Sequence, residues 1–249
     1  MIDFHSHIMP GIDDGARDVN MSLEMLRRSK LYGVDTIVST SHCYLDRISP
    51  KQFLEKRSDA YNILKHAAKE AGGELPDIVL GAEVYWNGHM SELDDLSCLC
   101  IGDTNYILIE MPYSDWSDEV FEELYHVIRR GFKPILAHLD RFFSKEKYFP
   151  ELLSLDVLCQ INADSFFESK LRRKILQLFS RDAAHVIGSD MHNITSRPQN
   201  IAEAYDIISK KFGTSYAEFL QTNARIILSG GEVPPTRLPK LTSIQQLFL

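Results

Sequence analysis

Two histidines stand two positions apart at the start of the chain, His5 and His7, directly after Ile2, Asp3 and Phe4. This apolar start predicts a short strand, in which side chains at i and i+2 point to the same face. The two imidazoles could therefore bind one metal ion together. An isolated pair of this kind is more often structural, so the metal interpretation depends on similar residues elsewhere in the sequence.

Such residues recur at the ends of later strands. Short apolar or β-branched runs predict seven strands, at residues 2–4, 36–39, 78–84, 106–110, 134–137, 157–161 and 186–188. Six of the seven are followed closely by, or end in, histidine, aspartate or glutamate. The candidate metal ligands are His5, His7, Asp14, His42, Glu83, Glu110, His138, Asp190 and His192. Barrels of parallel strands build their active sites at this end, so these side chains are expected to meet.

Nitrogen and carboxylate oxygen without thiolate suit manganese, iron or zinc in a catalytic rather than a structural site. Five histidines and four carboxylates are too many for one ion. Two or three divalent ions that share bridging carboxylates are therefore predicted. Such a cluster makes hydroxide available near neutral pH and binds the oxygens of a phosphoryl group during its transfer.

Helical segments separate the predicted strands, which is typical of parallel βα units. Ser49, Pro50 and Gln52 predict a capped helix start. Further helical spacing of apolar residues occurs at 120–130 and 201–208. The length of 249 residues is close to the roughly 250 residues of one (β/α) barrel. We therefore expect an α/β fold with a single domain over residues 1–249, including a proline-containing tail at 232–249.

Composition narrows the class of protein. Hydrophobic residues make up 44% and charged residues 25%, as in ordinary soluble proteins. No apolar run approaches the roughly 20 residues of a membrane span, and no signal peptide is evident, which predicts a cytoplasmic protein. The four cysteines are too few and too scattered for a disulfide framework. A formal charge of −8 argues against a nucleic-acid partner, although bound cations would offset part of it.

Six motifs resemble those of the polymerase and histidinol phosphatase (PHP) superfamily, and in particular its bacterial tyrosine-protein phosphatases of capsule and exopolysaccharide synthesis. They are His5-Ser6-His7, Asp13-Asp14-Gly15, Thr40-Ser41-His42, Gly81-Ala82-Glu83, Ala137-His138-Leu139-Asp140-Arg141 and Ser189-Asp190-Met191-His192. The resemblance implies a distorted seven-stranded, TIM-like barrel with three ions, usually manganese. It also implies one ligand set for each ion: His5, His7, Glu83 and Asp190; Glu83, Glu110 and His138; Asp14, His42 and His192.

Two arginines lie just beyond candidate ligands, Arg141 after His138 and Arg197 after His192. A guanidinium bonds two phosphate oxygens at once, so both are expected to bind the substrate phosphate. The resemblance places them at substrate contacts, and with Asp190 they form the predicted catalytic set.

Aromatic residues cluster in the loops at the same end of the strands. Some are expected to flank the ring of a phosphotyrosine, and packing of the loops is the alternative for each. They are Tyr85, Trp86, Tyr113, Trp116, Phe142, Phe143, Phe166 and Phe167.

These observations predict a metal-dependent phosphotyrosine-protein phosphatase that acts, by the resemblance, on a bacterial tyrosine kinase controlling capsule synthesis. A small-molecule phosphatase for histidinol phosphate uses the same ligands and remains the main alternative. A nuclease and a binding module without activity rank lower, because the chain is acidic and all nine ligand positions are present. The tail is expected to pack on its own barrel, with a neighbouring subunit of a homo-oligomer as the alternative.

Overall fold

Nine parallel strands form the centre of the fold in residues 1–180 and 183–233, which the computed structural model describes. They are β1 (Ile2–Ser6), β2 (Thr36–Ser39), β3 (His42–Cys43), β4 (Asp77–Leu80), β5 (Glu83–Tyr85), β6 (Tyr106–Glu110), β7 (Lys133–Leu136), β8 (Leu158–Asn162) and β9 (Val186–Gly188). Each of the seven predicted strands overlaps at least one observed strand. The prediction of one continuous strand at 78–84 is wrong, because β4 and β5 are separate.

The strands form two sheets in the orders β1-β2-β4 and β3-β5-β6-β7-β8-β9. Only Thr40 and Ser41 separate β2 from β3, and only Gly81 and Ala82 separate β4 from β5. Both breaks occur at the same level, since the Gly81 N–H donates to the Ser39 carbonyl and β3 pairs with β5 immediately beyond. The result is a strongly curled parallel sheet with α/β connections.

The first and last strands meet. The Asp190 N–H donates to the His5 carbonyl at 2.8 Å, and the His7 N–H donates to the Met191 carbonyl at 2.9 Å. This approach requires glycine at position 188, because a Cβ there would lie 2.3 Å from the His5 Cβ. The two ends of the described strand order are therefore joined beside the histidine pair.

Seven helices surround the strands in the described part of the chain: α1 (Val19–Leu31), α2 (Pro50–Ala71), α3 (Asp118–Arg129), α4 (Phe149–Leu152), α5 (Ser169–Ser180), α6 (Ile201–Lys211) and α7 (Thr214–Leu228). The three helices predicted from capping and spacing are confirmed as α2, α3 and α6. The reciprocal capping box between Ser49 and Gln52 is present as expected. No helix among these combines the length and the hydropathy of a membrane span.

Alternation along β6 shows how the core positions the site. Ile107 and Ile109 belong to the large apolar cluster under the helices, whereas Leu108 belongs to a smaller cluster shared with Phe4 and Ile227 of α7. Glu110 follows Leu108 by two positions and so projects from the same face at the strand end. Apolar packing thus occupies one level of the sheet interior and polar side chains the next. Most of the predicted tail, from residue 234, lies outside the described residues.

Candidate metal centre

All nine predicted ligands form one continuous cluster at the C-terminal ends of the strands. Each has an imidazole nitrogen or carboxylate oxygen within 4.0 Å of another member. Seven of them are almost fully buried, His42 is half-buried, and the Asp14 side chain is 67% exposed. The cluster is therefore deep, with Asp14 on its solvent side.

Hydrogen bonds fix the tautomers of His5 and His7. The His5 Nδ1–H donates to the Gln160 Oε1 at 3.0 Å, and the His7 Nδ1–H donates to the Asp13 Oδ2 at 2.8 Å. The Gln160 Oε1 and the Asp13 Oδ2 can only accept, so each neutral imidazole presents a lone pair at Nε2. These two Nε2 atoms face each other at 3.2 Å. Facing lone pairs repel unless a proton or a metal cation lies between them.

The other histidines present further unpaired atoms. The His192 Nδ1–H donates to the Asp190 carbonyl at 2.9 Å, which leaves its Nε2 without a hydrogen-bond partner, 3.3 Å from the Asp14 Oδ1. The His42 Nδ1 and the Glu83 Oε2 are also buried without a hydrogen-bond partner, 3.0 Å apart. Buried polar atoms are rarely left unpaired, so this concentration of them fits a cation site.

Glu83 is the central carboxylate. It lies opposite His42 in the pairing of β5 with β3, and it contacts His5, His7 and His138 at 3.3, 3.3 and 2.8 Å. Burial alone would raise the pKa of this carboxyl, but the histidines hold it well below its ordinary range. Burial and then the Glu83 charge raise the pKa of Glu110 to about 7. A bridging carboxylate beside a second acidic group is an arrangement that shared cations stabilise.

Three overlapping groups have ligand atoms within 4.8 Å of one another. They are His7, Asp14, His42 and His192; His5, His7 and Asp190; and His42, Glu83 and Glu110. They differ in detail from the sets implied by the resemblance. His42 lies beside Glu83 and Glu110 at 3.0 and 3.9 Å, in addition to His138, which contacts them at 2.8 and 3.6 Å. The donors fit two or three divalent cations that share ligands.

Asp190 joins this cluster to both predicted arginines. Its Oδ1 faces the imidazoles of His5 and His7 at 3.7 and 3.4 Å. Its Oδ2 contacts Nη2 of Arg141 and, at 2.6 Å, Nη2 of Arg197. The two guanidinium groups are about one third exposed, so they stand between the buried cluster and solvent. The backbone of Asp190 has a positive φ of 53°, which is uncommon for a residue other than glycine.

The predicted loop aromatics divide into two classes. Four are buried and pack the loops, as the alternative interpretation proposed: Trp116, Phe142, Phe143 and Phe166. Tyr113 is 57% exposed, packs at a tilt against Phe142 with a centroid distance of 5.3 Å, and interacts with the Arg141 guanidinium. Phe167 is 39% exposed and lines one cavity together with Arg197. Tyr85 and Trp86 are half-buried. Only these four exposed or half-buried rings remain candidates for substrate contact.

Three residues of the site were not predicted as functional from the sequence. Asp13 accepts hydrogen bonds from the His7 imidazole and the His42 N–H. Gln160 accepts from the His5 imidazole and the His138 N–H, and Asn162 donates to the Asp190 Oδ2 at 3.0 Å. The motif Asp13-Asp14-Gly15 indicated an acidic pair near the site. Only the fold shows that Asp13 orients His7 and that Asp14 faces the cluster.

Comparison with known proteins gives one consistent result. A family described as capsular polysaccharide synthesis, CpsB/CapC, matches residues 1–229. Among similar proteins, the tyrosine-protein phosphatase CpsB of Streptococcus pneumoniae is 33% identical over 92% of this chain and 98% of its own length. The tyrosine-protein phosphatase YwqE of Bacillus subtilis is 31% identical, with 92% and 91% covered.

A solved structure gives the same relationship. It comes from work on YwqE of Bacillus subtilis and CpsB of Streptococcus pneumoniae as metal-dependent tyrosine phosphatases. This chain superposes on it with a TM-score of 0.82 and 26% identity, and the match covers 97% of this chain and 100% of the other. The family resemblance recognised from the six motifs is confirmed.

Proposed function

The chain belongs to the CpsB/CapC family of capsular polysaccharide synthesis, and we infer from this that it is a metal-dependent protein-tyrosine phosphatase. One observation on the geometry of the site supports this assignment. Unpaired imidazole nitrogens and carboxylates converge beside two guanidinium groups held on one carboxylate, Asp190. This combination provides cations and phosphate-binding groups within one cleft.

The nine clustered residues would hold the ions: His5, His7, Asp14, His42, Glu83, Glu110, His138, Asp190 and His192. We propose two or three divalent cations, with manganese as the native metal and iron or zinc as alternatives that the nitrogen and oxygen donors also accept. When bound, these cations would supply hydroxide near neutral pH and neutralise charge on the phosphoryl oxygens.

Arg141 and Arg197 are proposed to bind the phosphoryl group. Asp190 orients both guanidinium groups through its Oδ2, so that other N–H donors of the two arginines can bond phosphoryl oxygens. Charge on these oxygens is stabilised by donors that are already in place, which is the main requirement of phosphoryl transfer. A tyrosine leaving group, with an ordinary pKa of about 10, needs less protonation than an alkyl alkoxide.

The substrate is proposed to be a tyrosine-phosphorylated protein, namely a bacterial tyrosine kinase that controls capsule or exopolysaccharide synthesis. Support comes from the family description and from the names of the relatives. A cytoplasmic location agrees with such a substrate. Self-association into a homo-oligomer remains part of the proposal.

The fold is proposed to be the distorted seven-stranded barrel of the PHP type. β2 with β3, and β4 with β5, are then two bent strands, each interrupted by two residues. With this grouping the strands follow one another in sequence order from β1 to β9. The backbone hydrogen bonds of His5 with Asp190 and of His7 with Met191 then join the first strand to the last.

The decisive experiment compares phosphate release from a phosphotyrosine peptide and from histidinol phosphate by the manganese-loaded protein. We expect kcat/KM for the peptide to exceed that for histidinol phosphate, and both activities to disappear with chelator and return with manganese. A preference for histidinol phosphate would keep the metal site but replace the substrate class. Unchanged release in chelator would contradict metal dependence.

A further inference from the structure

A cavity of about 460 Å³ opens beside the proposed catalytic cleft, on the side of Arg197. Asp190, Arg197 and Asn162 form its inner edge, so it is continuous with the place where the phosphoryl group is proposed to bind. Its volume lies within the range of ligand-binding pockets. The hydrolysis of a phosphate ester alone uses only this inner edge, which leaves most of the cavity without a role.

The outer part of the cavity presents a few apolar side chains within a lining that is otherwise polar and includes Asp164 and Glu203. Tyr32 at the end of α1 is 53% exposed, and Phe167 is 39% exposed. Met191 and Ile194 line the wall between these rings and the cleft. Exposed aromatic side chains that border one cavity next to an active site are typical of a site that receives an apolar group.

The wall formed by residues 193–197 is preorganised. The Asn193 Oδ1 accepts hydrogen bonds from the N–H groups of Thr195, Ser196 and Arg197 at 2.9, 2.8 and 3.2 Å. An Arg28 Nη1–H donates to the Ile194 carbonyl at 3.1 Å, which ties this loop to α1. A wall already held by these bonds loses little conformational freedom when a ligand binds.

We propose that this cavity is a subsite for the substrate chain next to the phosphotyrosine, and that it takes an apolar side chain of the phosphoprotein. The inference rests on the proposed tyrosine phosphatase function. A protein substrate must continue beyond its phosphorylated residue, and the cavity opens directly from the cleft with two exposed aromatic rings, Tyr32 and Phe167, in its lining. Burial of one apolar side chain there would account for a preference of about tenfold.

The test compares two phosphotyrosine peptides of equal length and charge, with leucine or with serine on both sides of the phosphotyrosine, and p-nitrophenyl phosphate as a substrate without a chain. The manganese-loaded wild type is expected to show about tenfold higher kcat/KM for the leucine peptide. Tyr32→Ala and Ile194→Ala should each lower kcat/KM for that peptide about fivefold and change the other two substrates less than twofold.

Tyr125→Ala is the matched control, since Tyr125 is an exposed tyrosine on α3 outside the cavity. It should leave all three substrates unchanged. Equal kcat/KM for the two peptides in the wild type, or equal losses on p-nitrophenyl phosphate in the Tyr32 and Ile194 variants, would overturn the subsite. Hydrolysis of p-nitrophenyl phosphate without hydrolysis of either peptide would instead overturn the proposed function itself.

Discussion

The imidazoles of His5 and His7 depend on partners that are not themselves candidate ligands. Asp13 and Gln160 accept the Nδ1 protons and thereby direct both Nε2 lone pairs into the cluster. Such hydrogen bonds fix the orientation of a ligand and raise its basicity. The positioning residues should therefore matter for metal binding almost as much as the ligands do.

Asp13→Asn tests this at the level of one residue. In either orientation of the new amide, its NH₂ faces a backbone or imidazole N–H that Asp13 now accepts from. Manganese affinity, measured by titration calorimetry, should fall about 10- to 100-fold. Asp46→Asn, at an exposed aspartate, is the control. Equal affinity in the Asp13 variant and the wild type would show that the His7 tautomer does not govern binding.

The candidate ligands could be predicted from the sequence because each follows an apolar run that is itself a strong strand signal. Asp13, Gln160 and Asn162 could not, because their roles depend on distances between strands that are far apart in the sequence. Gln160 bonds His5, which lies 155 positions away. The sequence shows which side chains can bind a metal, whereas only the fold shows which ones orient them.

At the level of elements, the prediction differs from the structure in one strand, which is broken into β4 and β5. The run at 78–82 is apolar throughout and continues after Glu83 with Val84, so periodicity gives no sign that the strand stops before Gly81. β1 also contains a register shift between Asp3 and Ser6 in its pairing with β2. A bulge of this kind re-aims side chains and is common beside active sites. It accompanies the change from core residues such as Phe4 to the histidines of the cluster.

His185 connects three elements and is expected to make their packing sensitive to pH. Its Nδ1 accepts the Cys159 N–H of β8 at 3.0 Å, and its carbonyl accepts from Asn223 of α7 at 3.0 Å. Burial lowers the pKa of His185 to about 4. In the unfolded chain an ordinary value near 6.5 applies, so between these values the unfolded state binds more protons. Stability is therefore lost as the pH falls from about 6.5 towards 4.

His185→Asn keeps an acceptor for the Cys159 N–H but cannot titrate. Between pH 7 and pH 4.5, in chelator, the wild type should lose on the order of 1–3 kcal/mol more unfolding free energy than the variant. Urea unfolding at the two pH values measures this difference. Parallel losses in the two proteins would show that other groups cause the acid sensitivity.

The whole molecule brings acidic charge together at one end. The chain has a formal charge of −8, and four carboxylates meet five histidines in the cluster. The ligands come from both ends of the sequence, from β1 to the loop after β9. Cations that bind this cluster would therefore hold the first and last strands together, and metal binding should couple directly to folding.

Thermal unfolding with and without metal tests that coupling. A ligand at 100 times its dissociation constant stabilises the folded state by about 2.7 kcal/mol, which for a chain of this size corresponds to an increase in Tm of about 5–10 °C. Manganese should produce this shift. Calcium should produce much less, because it prefers oxygen ligands to imidazole. Glu83→Gln should reduce the manganese shift, since Glu83 contacts four of the five histidines. Equal shifts with calcium and manganese would point to nonspecific screening of the acidic charge, whereas a manganese shift that depends on Glu83 requires the proposed centre.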